Sequence, residues 1–223
     1  MSKRRLLIAV LLLATGASVN ASDSDLTIDD RDRENAVKFY GGDPDLKLSN
    51  HQSRHPDGAR GFTYSHPPEP MMYHGLETLR HYACSYAIFG VADLQGAKSF
   101  VGKNEIGILT KLRFKIVDNW KAGSIPKDQF FDLIIPGGEV MHKGEMFRLG
   151  DPLTSYVKGR RYLMIIQGDT ENAEKNYFVE LPRLLEVSNG IIRAPYSATP
   201  FDGMSLSRVK ASAQEALEQK GCE

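Results

Sequence analysis

Alternating hydrophobic and polar positions predict a β-strand near the middle of the chain. In ILTKLRFKIVDNW, the even-numbered positions 110–116 are mostly apolar and the odd-numbered positions 109–115 are mostly polar. Successive side chains of a strand point to opposite faces, so this pattern predicts one face on a core and one face in water. The segment KAGSIPKDQ then predicts a turn, and FFDLIIPG predicts a second strand that ends at Pro136 and Gly137-Gly138.

Further strand-like and helix-like segments surround this pair. SYAIFGVADL precedes it, and GEMFRL, VKGRRYLMIIQ, NYFVEL and LEVSNGIIRAP follow it, the last with a hairpin-like turn at Ser188-Asn189-Gly190. GLETLRHYAC and SLSRVKASAQEALEQK have helical periodicity, and the second has Ser205 in the N-cap position and Gly221 as its stop. The pattern predicts a mainly β (α+β) fold, namely a small five- to six-stranded OB-like antiparallel barrel with a short helix before it and a C-terminal helix.

Residues 1–21 have the features of a secretory signal peptide. Lys3, Arg4 and Arg5 precede the apolar run LLIAVLLLA, and small residues then lead to Ala21. The run is shorter than the roughly 18–20 apolar residues that a membrane-spanning helix needs. We therefore expect cleavage near Ala21, a periplasmic or secreted protein, and no membrane span.

Residues 22–70 are rich in Asp, Arg, His, Pro and Gly and show little hydrophobic periodicity. Such a composition buries too little apolar surface to offset the entropy of ordering, so it predicts a flexible polar arm. The few apolar residues of the arm, such as Phe39 and Phe62, could still dock locally. Residues 71–223 are then expected to form the OB-like β-barrel domain with its C-terminal helix.

Charge argues against two classes of partner. The chain has 28 basic and 28 acidic residues, and removal of the three basic residues of the signal peptide leaves a small negative net charge. The proposed exposed faces carry mixed signs rather than a basic stripe with stacking aromatic residues. The composition therefore favours neither nucleic acid nor an anionic membrane surface as a partner.

The two cysteines, Cys84 and Cys222, both fall in the mature chain. An exported protein meets an oxidising environment, so we predict a disulfide that attaches the C-terminal end to the body of the fold. The alternative is two separate thiols, one buried and one near the C-terminus.

Candidate metal ligands follow the second predicted strand. The segment GGEVMHKGE contains Glu139, His142 and Glu145. In an extended conformation His142 faces away from both carboxylates, because the side-chain period is two, whereas a loop could unite the three as metal ligands or as an acid and a base. The alternative is three polar residues on the rim of a barrel. The His-rich arm, with His51 and His55, is a second candidate for metal binding.

A basic cluster and the absence of known motifs complete the candidate chemistry. Lys158, Arg160 and Arg161 could bind a phosphate or a carboxylate, although beside Gly159 they are also typical of a solvated hairpin turn. The chain has no G-x-S-x-G elbow, P-loop, dinucleotide fingerprint, C-x-x-C or EF-hand loop. We therefore expect no cofactor.

The order of the strand motifs resembles a known family. FGVADL, ILTKLRFKIVDNWK, FFDLIIPGG and YVKGRRYLMII resemble an exported bacterial module similar to OB-fold barrels of the netrin and tissue-inhibitor-of-metalloproteinase kind, over residues 86–193. In the animal inhibitors the mature chain begins with a cysteine that binds the protease zinc. Here the expected first residue is Ser22, and no cysteine precedes Cys84. The resemblance thus implies the barrel but not protease inhibition by that mechanism.

Two hypotheses from different classes follow. The first is a soluble, exported, non-enzymatic binding or interaction module that contacts a protein or a small ligand outside the cytoplasm. The second is an exported metal-dependent hydrolase or other enzyme that uses Glu139, His142 and Glu145, or the His-rich arm. The lack of a catalytic motif favours the first hypothesis.

Overall fold

The structure is a computed structural model of the 223-residue chain. It describes residues 26–34, 46–50, 58–62, 75–86, 88–121, 128–149, 156–166, 177–179, 183–194 and 200–222. The predicted signal peptide, together with His51 and His55, lies outside the described residues. Within the described ranges, no helix has both the length and the apolar character that a membrane crossing needs.

The described part of the chain consists mainly of β-strands. Its strands and helices in chain order are β1 (Arg60–Phe62), α1 (Leu76–Ser85), β2 (Ile88–Val101), β3 (Ile108–Asn119), β4 (Phe130–Pro136), β5 (Gly138–His142), β6 (Glu145–Leu149), β7 (Arg161–Ile166), β8 (Tyr177–Val179), β9 (Arg183–Ser188), β10 (Ile191–Arg193) and α2 (Leu206–Lys220). A short helix also covers residues 30–34, and 3-10 turns cover Leu48–Asn50 and Lys103–Glu105.

These strands form two sheets. The larger sheet has the order β10-β9-β7-β2-β3-β4-β8, in which the first six strands are antiparallel neighbours and β8 is parallel to β4. The smaller sheet has the order β1-β6-β5, with β1 parallel to β6. The predicted mainly β fold, with a helix before the antiparallel sheet and a C-terminal helix, is confirmed. Among the described strands no pairing joins β10 to β8, so closure into an OB-like barrel stays a prediction.

One face of the larger sheet carries an apolar core. Alternate residues of four neighbouring strands form this core: Ile88, Ala92, Leu94, Leu112, Phe114, Ile116, Phe131, Leu133, Ile135, Tyr162, Met164 and Ile166. The Phe114 ring stacks on Phe131 with 5.4 Å between centroids and also lies 6.0 Å from the Tyr162 ring. β3 and β7 are two positions apart, which is about 10 Å in a flat sheet. The two rings therefore meet across β2, which lies between the two strands.

The two helices cover the opposite face, and the disulfide joins them. The buried residues of this second core are Leu79, Tyr82, Ala83, Phe89, Val91, Trp120, Leu163, Ile165, Leu185, Ile192, Phe201, Val209, Ala213 and Ala216. The N-cap at Ser205 is confirmed, since its hydroxyl accepts a hydrogen bond from the N–H of Arg208 at 3.3 Å, and Gly221 ends α2 with φ 64°. The predicted disulfide is also confirmed. Cys84 in α1 is bonded to Cys222 just beyond α2, with the Cα atoms 5.3 Å apart.

Three segments of the predicted polar arm pack on the sheets. Leu26 and Leu48 are buried, at 4% and 2% exposure, and β1 pairs with β6. The folded body therefore begins before residue 71, whereas the composition of residues 22–70 predicted a flexible arm. The prediction fails for these segments because it depends on the average composition of the region. Single apolar residues such as Leu26 and Leu48 are buried even though that average is polar.

Candidate functional site

Gly137 and Gly138 direct the chain from β4 into β5 and so position the β5–β6 hairpin. They have φ values of 89° and 133°. A Cβ atom on Gly138 would lie 2.4 Å from Thr110 Oγ1 and 2.5 Å from Ser99 Oγ, so a larger residue does not fit. The Thr110 hydroxyl in turn donates a hydrogen bond to the carbonyl of Gly137 at 2.8 Å. The Pro-Gly-Gly motif is therefore a backbone requirement that places the hairpin.

A two-residue turn at Lys143-Gly144 closes this hairpin. Both residues have positive φ, 51° and 82°, as the common two-residue hairpin turns require. The facing pairs are Glu139 with Arg148, Met141 with Met146, and His142 with Glu145. His142 and Glu139 occupy opposite faces, as the period of two predicts. The expectation that His142 also faces away from Glu145 is wrong, because the chain reversal places Glu145 directly opposite His142 in the register.

The two candidate carboxylates of the hairpin pair with different arginines. Glu139 Oε1 accepts a hydrogen bond from Arg148 Nε at 2.7 Å, and Glu145 Oε1 lies 2.9 Å from Arg60 Nη2 on β1. In the part of the chain that the structure describes, no group of three or more His, Cys, Asp and Glu residues is arranged to hold a metal ion. The metal hypothesis for Glu139, His142 and Glu145 thus gains no support from their geometry.

His142 contacts a carboxylate from a different connection. Its Nε2 atom lies 3.1 Å from Oε1 of Glu105, which also contacts the Lys143 ammonium. These two partners lower the pKa of Glu105 from its ordinary value; the hydrogen bond from Lys143 is the largest cause and that from His142 is the next. Glu105 thereby links the β5–β6 turn to the connection between β2 and β3.

The outer face of the β5–β6 hairpin presents two methionines to solvent. Met141 is 60% exposed and Met146 is 38% exposed, and the two are direct cross-strand neighbours. The inner face is anchored by Phe147, which is 5% exposed and packs in a buried cluster. The other large exposed apolar side chains of the described residues, Phe130 and Val157, lie on β4 and shortly before β7. We call Met141 and Met146 the methionine pair.

The predicted anion-binding residues surround the turn before β7. Arg160 Nη1 donates to both carboxylate oxygens of Glu186, at 2.8 and 2.7 Å. Arg161 donates to both oxygens of Asp93, at 2.7 and 3.1 Å, and these bonds raise the pKa of Arg161. Lys158 is exposed. Carboxylates of the chain thus already pair with both guanidinium groups, and anion binding stays a prediction without geometric support.

A buried charged cluster on β3 is a feature that the sequence analysis missed. Lys111 belongs to the face that was predicted to be in water, but it is 6% exposed. Its Nζ atom lies 3.0 Å from Oδ2 of Asp32 and 3.5 Å from Oδ2 of Asp132. Asp32 is fully buried and comes from the predicted arm. The one hint in the sequence is Leu109, an apolar residue on the otherwise polar face of the strand.

Two comparisons with known proteins find no match. No protein family matches the chain in a scan against family models. A search of curated proteins also finds no match. The functional interpretation therefore depends on the geometry of the chain itself.

Proposed function

We propose that this protein is an exported, non-enzymatic interaction module that binds a partner protein through the outer face of the β5–β6 hairpin. The observation that carries the proposal is the methionine pair, two apolar side chains paired in register and exposed on a short, well-anchored hairpin. Methionine side chains are flexible and polarizable, and they recur at surfaces that bind other proteins. Export is supported by the disulfide, which persists in oxidising compartments.

The surroundings of the methionine pair fit a contact surface better than a catalytic site. The ion pair Glu139–Arg148 lies on the same face of the hairpin as the methionine pair, whereas Arg60–Glu145 and Glu105 hold the opposite face and the turn. A charged pair beside an apolar centre is typical of the polar rim of a protein interface. Because Glu139 and Glu145 pair with separate cations and do not converge, they are poorly placed to act together as metal ligands or as an acid and a base.

The fold is consistent with the role of a scaffold. We interpret the larger sheet as part of an OB-like barrel of the netrin and tissue-inhibitor kind, with support from its consecutive antiparallel strands and from the rings of Phe114 and Tyr162 that meet across β2. In this interpretation the β5–β6 hairpin is a projection from a rigid body. A rigid support lowers the entropic cost of binding, because the contact surface is ordered before the partner arrives.

Photo-crosslinking of the full exported chain tests the proposal. A photoreactive amino acid at position 141 or 146 should give one discrete cross-linked product that mass spectrometry identifies. The matched control positions are 130 and 157, whose native side chains are 50% and 39% exposed and apolar but lie elsewhere. We expect no such product at the control positions.

Binding measurements with the purified partner then test the contribution of the methionine pair. A fully buried methionine contributes about 1.5–3 kcal/mol, so the double variant Met141→Ser/Met146→Ser should bind at least about tenfold more weakly. The matched variant Phe130→Ser/Val157→Ser should bind as the native chain does. Equal cross-linking at all four positions, or unchanged affinity in the methionine variant, would contradict the proposal.

A further inference from the structure

Residues 26–34 lie across the outer face of the larger sheet, held by two lysines of the sheet and by an arginine of the segment itself. Lys98 Nζ donates to the carbonyl of Leu26 at 3.1 Å, and Lys111 Nζ donates to the carbonyl of Thr27 at 3.2 Å. Arg33 donates to the carbonyl of Val101 at 2.8 Å. The side chain of a further residue of the segment, Ile28, packs against a buried apolar cluster formed by Phe100, Leu109 and Ile134. The segment is thus docked both by hydrogen bonds and by apolar contacts.

Within this contact an amine and a carboxyl group are buried against each other. The side chains of Lys111 and Asp32 are 7% and 1% exposed, and Lys111 Nζ lies 3.0 Å from Asp32 Oδ2. The N–H of Asp29 also donates to Oδ2 at 2.9 Å, and so fixes the carboxyl group. The other oxygen, Oδ1, is buried and has no hydrogen-bond partner among the described residues. The carboxyl group therefore has one oxygen fixed by hydrogen bonds and one that accepts no hydrogen bond from the described residues.

A third titratable group completes the cluster. Asp132 Oδ2 lies 3.5 Å from the same Lys111 Nζ, and Arg113 holds the Asp132 carboxylate through two hydrogen bonds, at 2.7 and 2.8 Å. A carboxylate beside the lysine nitrogen is the type of group that takes part in general acid–base catalysis. At 3.5 Å the two groups need only a small approach to come within hydrogen-bond reach.

The buried position of the pair makes two charges energetically costly. Removal of two charges from water costs several kcal/mol per ion, and the attraction between them repays this cost only when the remaining polar atoms are satisfied. Asp32 Oδ1 is not satisfied. An amide between the two side chains would carry no charge and would remove the unsatisfied oxygen.

We propose that Lys111 and Asp32 condense to an intramolecular isopeptide bond, with Asp132 as the acid–base group. The bond between Lys111 Nζ and Asp32 Cγ forms, and the bond between Cγ and Oδ1 breaks. Of the three ammonium hydrogens, one stays on the amide nitrogen, next to the carbonyl of Thr27. The other two leave with Oδ1 as water, and Asp132 transfers the first of them. The fold supplies the proximity, since the amine lies 3.0 Å from one oxygen of the carboxyl group with which it reacts.

The same segment offers a matched comparison. Glu34 Oε1 and Lys103 Nζ lie 2.8 Å apart, but their side chains are 53% and 54% exposed. Water solvates both charges there, so this pair remains an ordinary ion pair. Distance alone therefore does not define the modification site, because burial separates the two pairs.

Mass spectrometry of the full mature chain tests the proposal. With the disulfide reduced and the N-terminus located by fragmentation, the native chain should be lighter than its sequence by the mass of one water. A protease digest should contain one branched peptide that joins the segments of Asp32 and Lys111. Lys111→Arg and Asp132→Asn should each restore the full mass, whereas the control Lys103→Arg should keep the loss of water.

Two results would overturn the proposal. A native chain that unfolds cooperatively, has the complete sequence mass and yields separate peptides for the two segments contains a buried ion pair only. If the Asp132→Asn chain forms the branched peptide to the native extent, Asp132 is not the acid–base group. Because the first result is obtained on the native chain, the proposal remains testable even if a variant fails to fold.

Discussion

The Cys84–Cys222 disulfide supports a quantitative prediction for the stability of the fold. The bond joins residues 138 positions apart, and it connects the end of α1 to the end of α2. In the chain-entropy model, closure of a loop of this length raises the free energy of the unfolded chain, and so stabilises the fold, by about 5 kcal/mol. For a domain of this size, 1 kcal/mol changes the melting temperature by about 2–4 °C, so reduction should lower it by about 10–20 °C.

Replacement of both cysteines with serine should cost the native state little in comparison. Cys222 is exposed and Cys84 is partly exposed, so serine at either position leaves no large cavity. The helices remain packed through the second core, in which Leu79 and Ala83 of α1 and Ala213 of α2 take part. The variant Cys84→Ser/Cys222→Ser should therefore keep its native far-UV circular dichroism and lose stability mainly through its less restricted unfolded state.

Thermal unfolding measured by calorimetry, with and without reductant, checks this prediction. The native chain should lose about 10–20 °C on reduction, and the double serine variant should melt at this reduced temperature both with and without reductant. The variant with reductant is the control for effects of the reductant itself. A difference below about 3 °C between the melting temperatures with and without reductant would refute the argument. It would mean that α2 stays close to the rest of the unfolded chain even without the bond.

Two further predictions concern the placement of the β5–β6 hairpin. Gly138→Ala should lower the free energy of unfolding by about 2–4 kcal/mol, because its Cβ atom would lie 2.4 Å from Thr110 Oγ1. The control Gly144→Ala, at φ 82° and with open space around the new Cβ atom, should lower it by only about 1 kcal/mol. Urea unfolding measures both values, and equal losses would contradict the steric argument. The pKa of Glu105 is lowered in the folded state, first by Lys143, so its contribution to stability is present above pH 4.5 and is lost as the pH falls through the folded-state pKa. Glu105→Gln should accordingly flatten this part of the pH dependence of the urea midpoint, and a slope equal to that of the native chain would refute the assignment.

β3 illustrates how far a local pattern can predict burial. The alternation along positions 109–116 correctly predicts a strand, because the period of side-chain direction is a property of the backbone. It wrongly predicts that the polar face is in water at Lys111, which is 6% exposed. The covering residues 26–34 are about 80 positions away, and nothing in the strand encodes where that segment docks.

At the candidate site, too, the local pattern predicts the strand but not the contacts of its side chains. Spacing along the chain grouped Glu139, His142 and Glu145, yet the structure gives them the separate partners Arg148, Glu105 and Arg60. Which cation reaches which carboxylate depends on the register of β5 with β6 and on the neighbouring β2–β3 connection. The exposure of the methionine pair depends on the same register, so the most apolar surface of the hairpin was not evident in advance.

The sequence by itself determined the features that depend on short-range physics. These are the strand periodicity, the N-cap at Ser205, the stop at Gly221, and the disulfide, for which two cysteines allow one pairing. Only the tertiary structure decided which polar residues are buried and which charges meet, as for Lys111 with Asp32. Backbone geometry and capping are determined by residues within a few positions of each other. Burial depends on segments that are distant in the chain and adjacent in space.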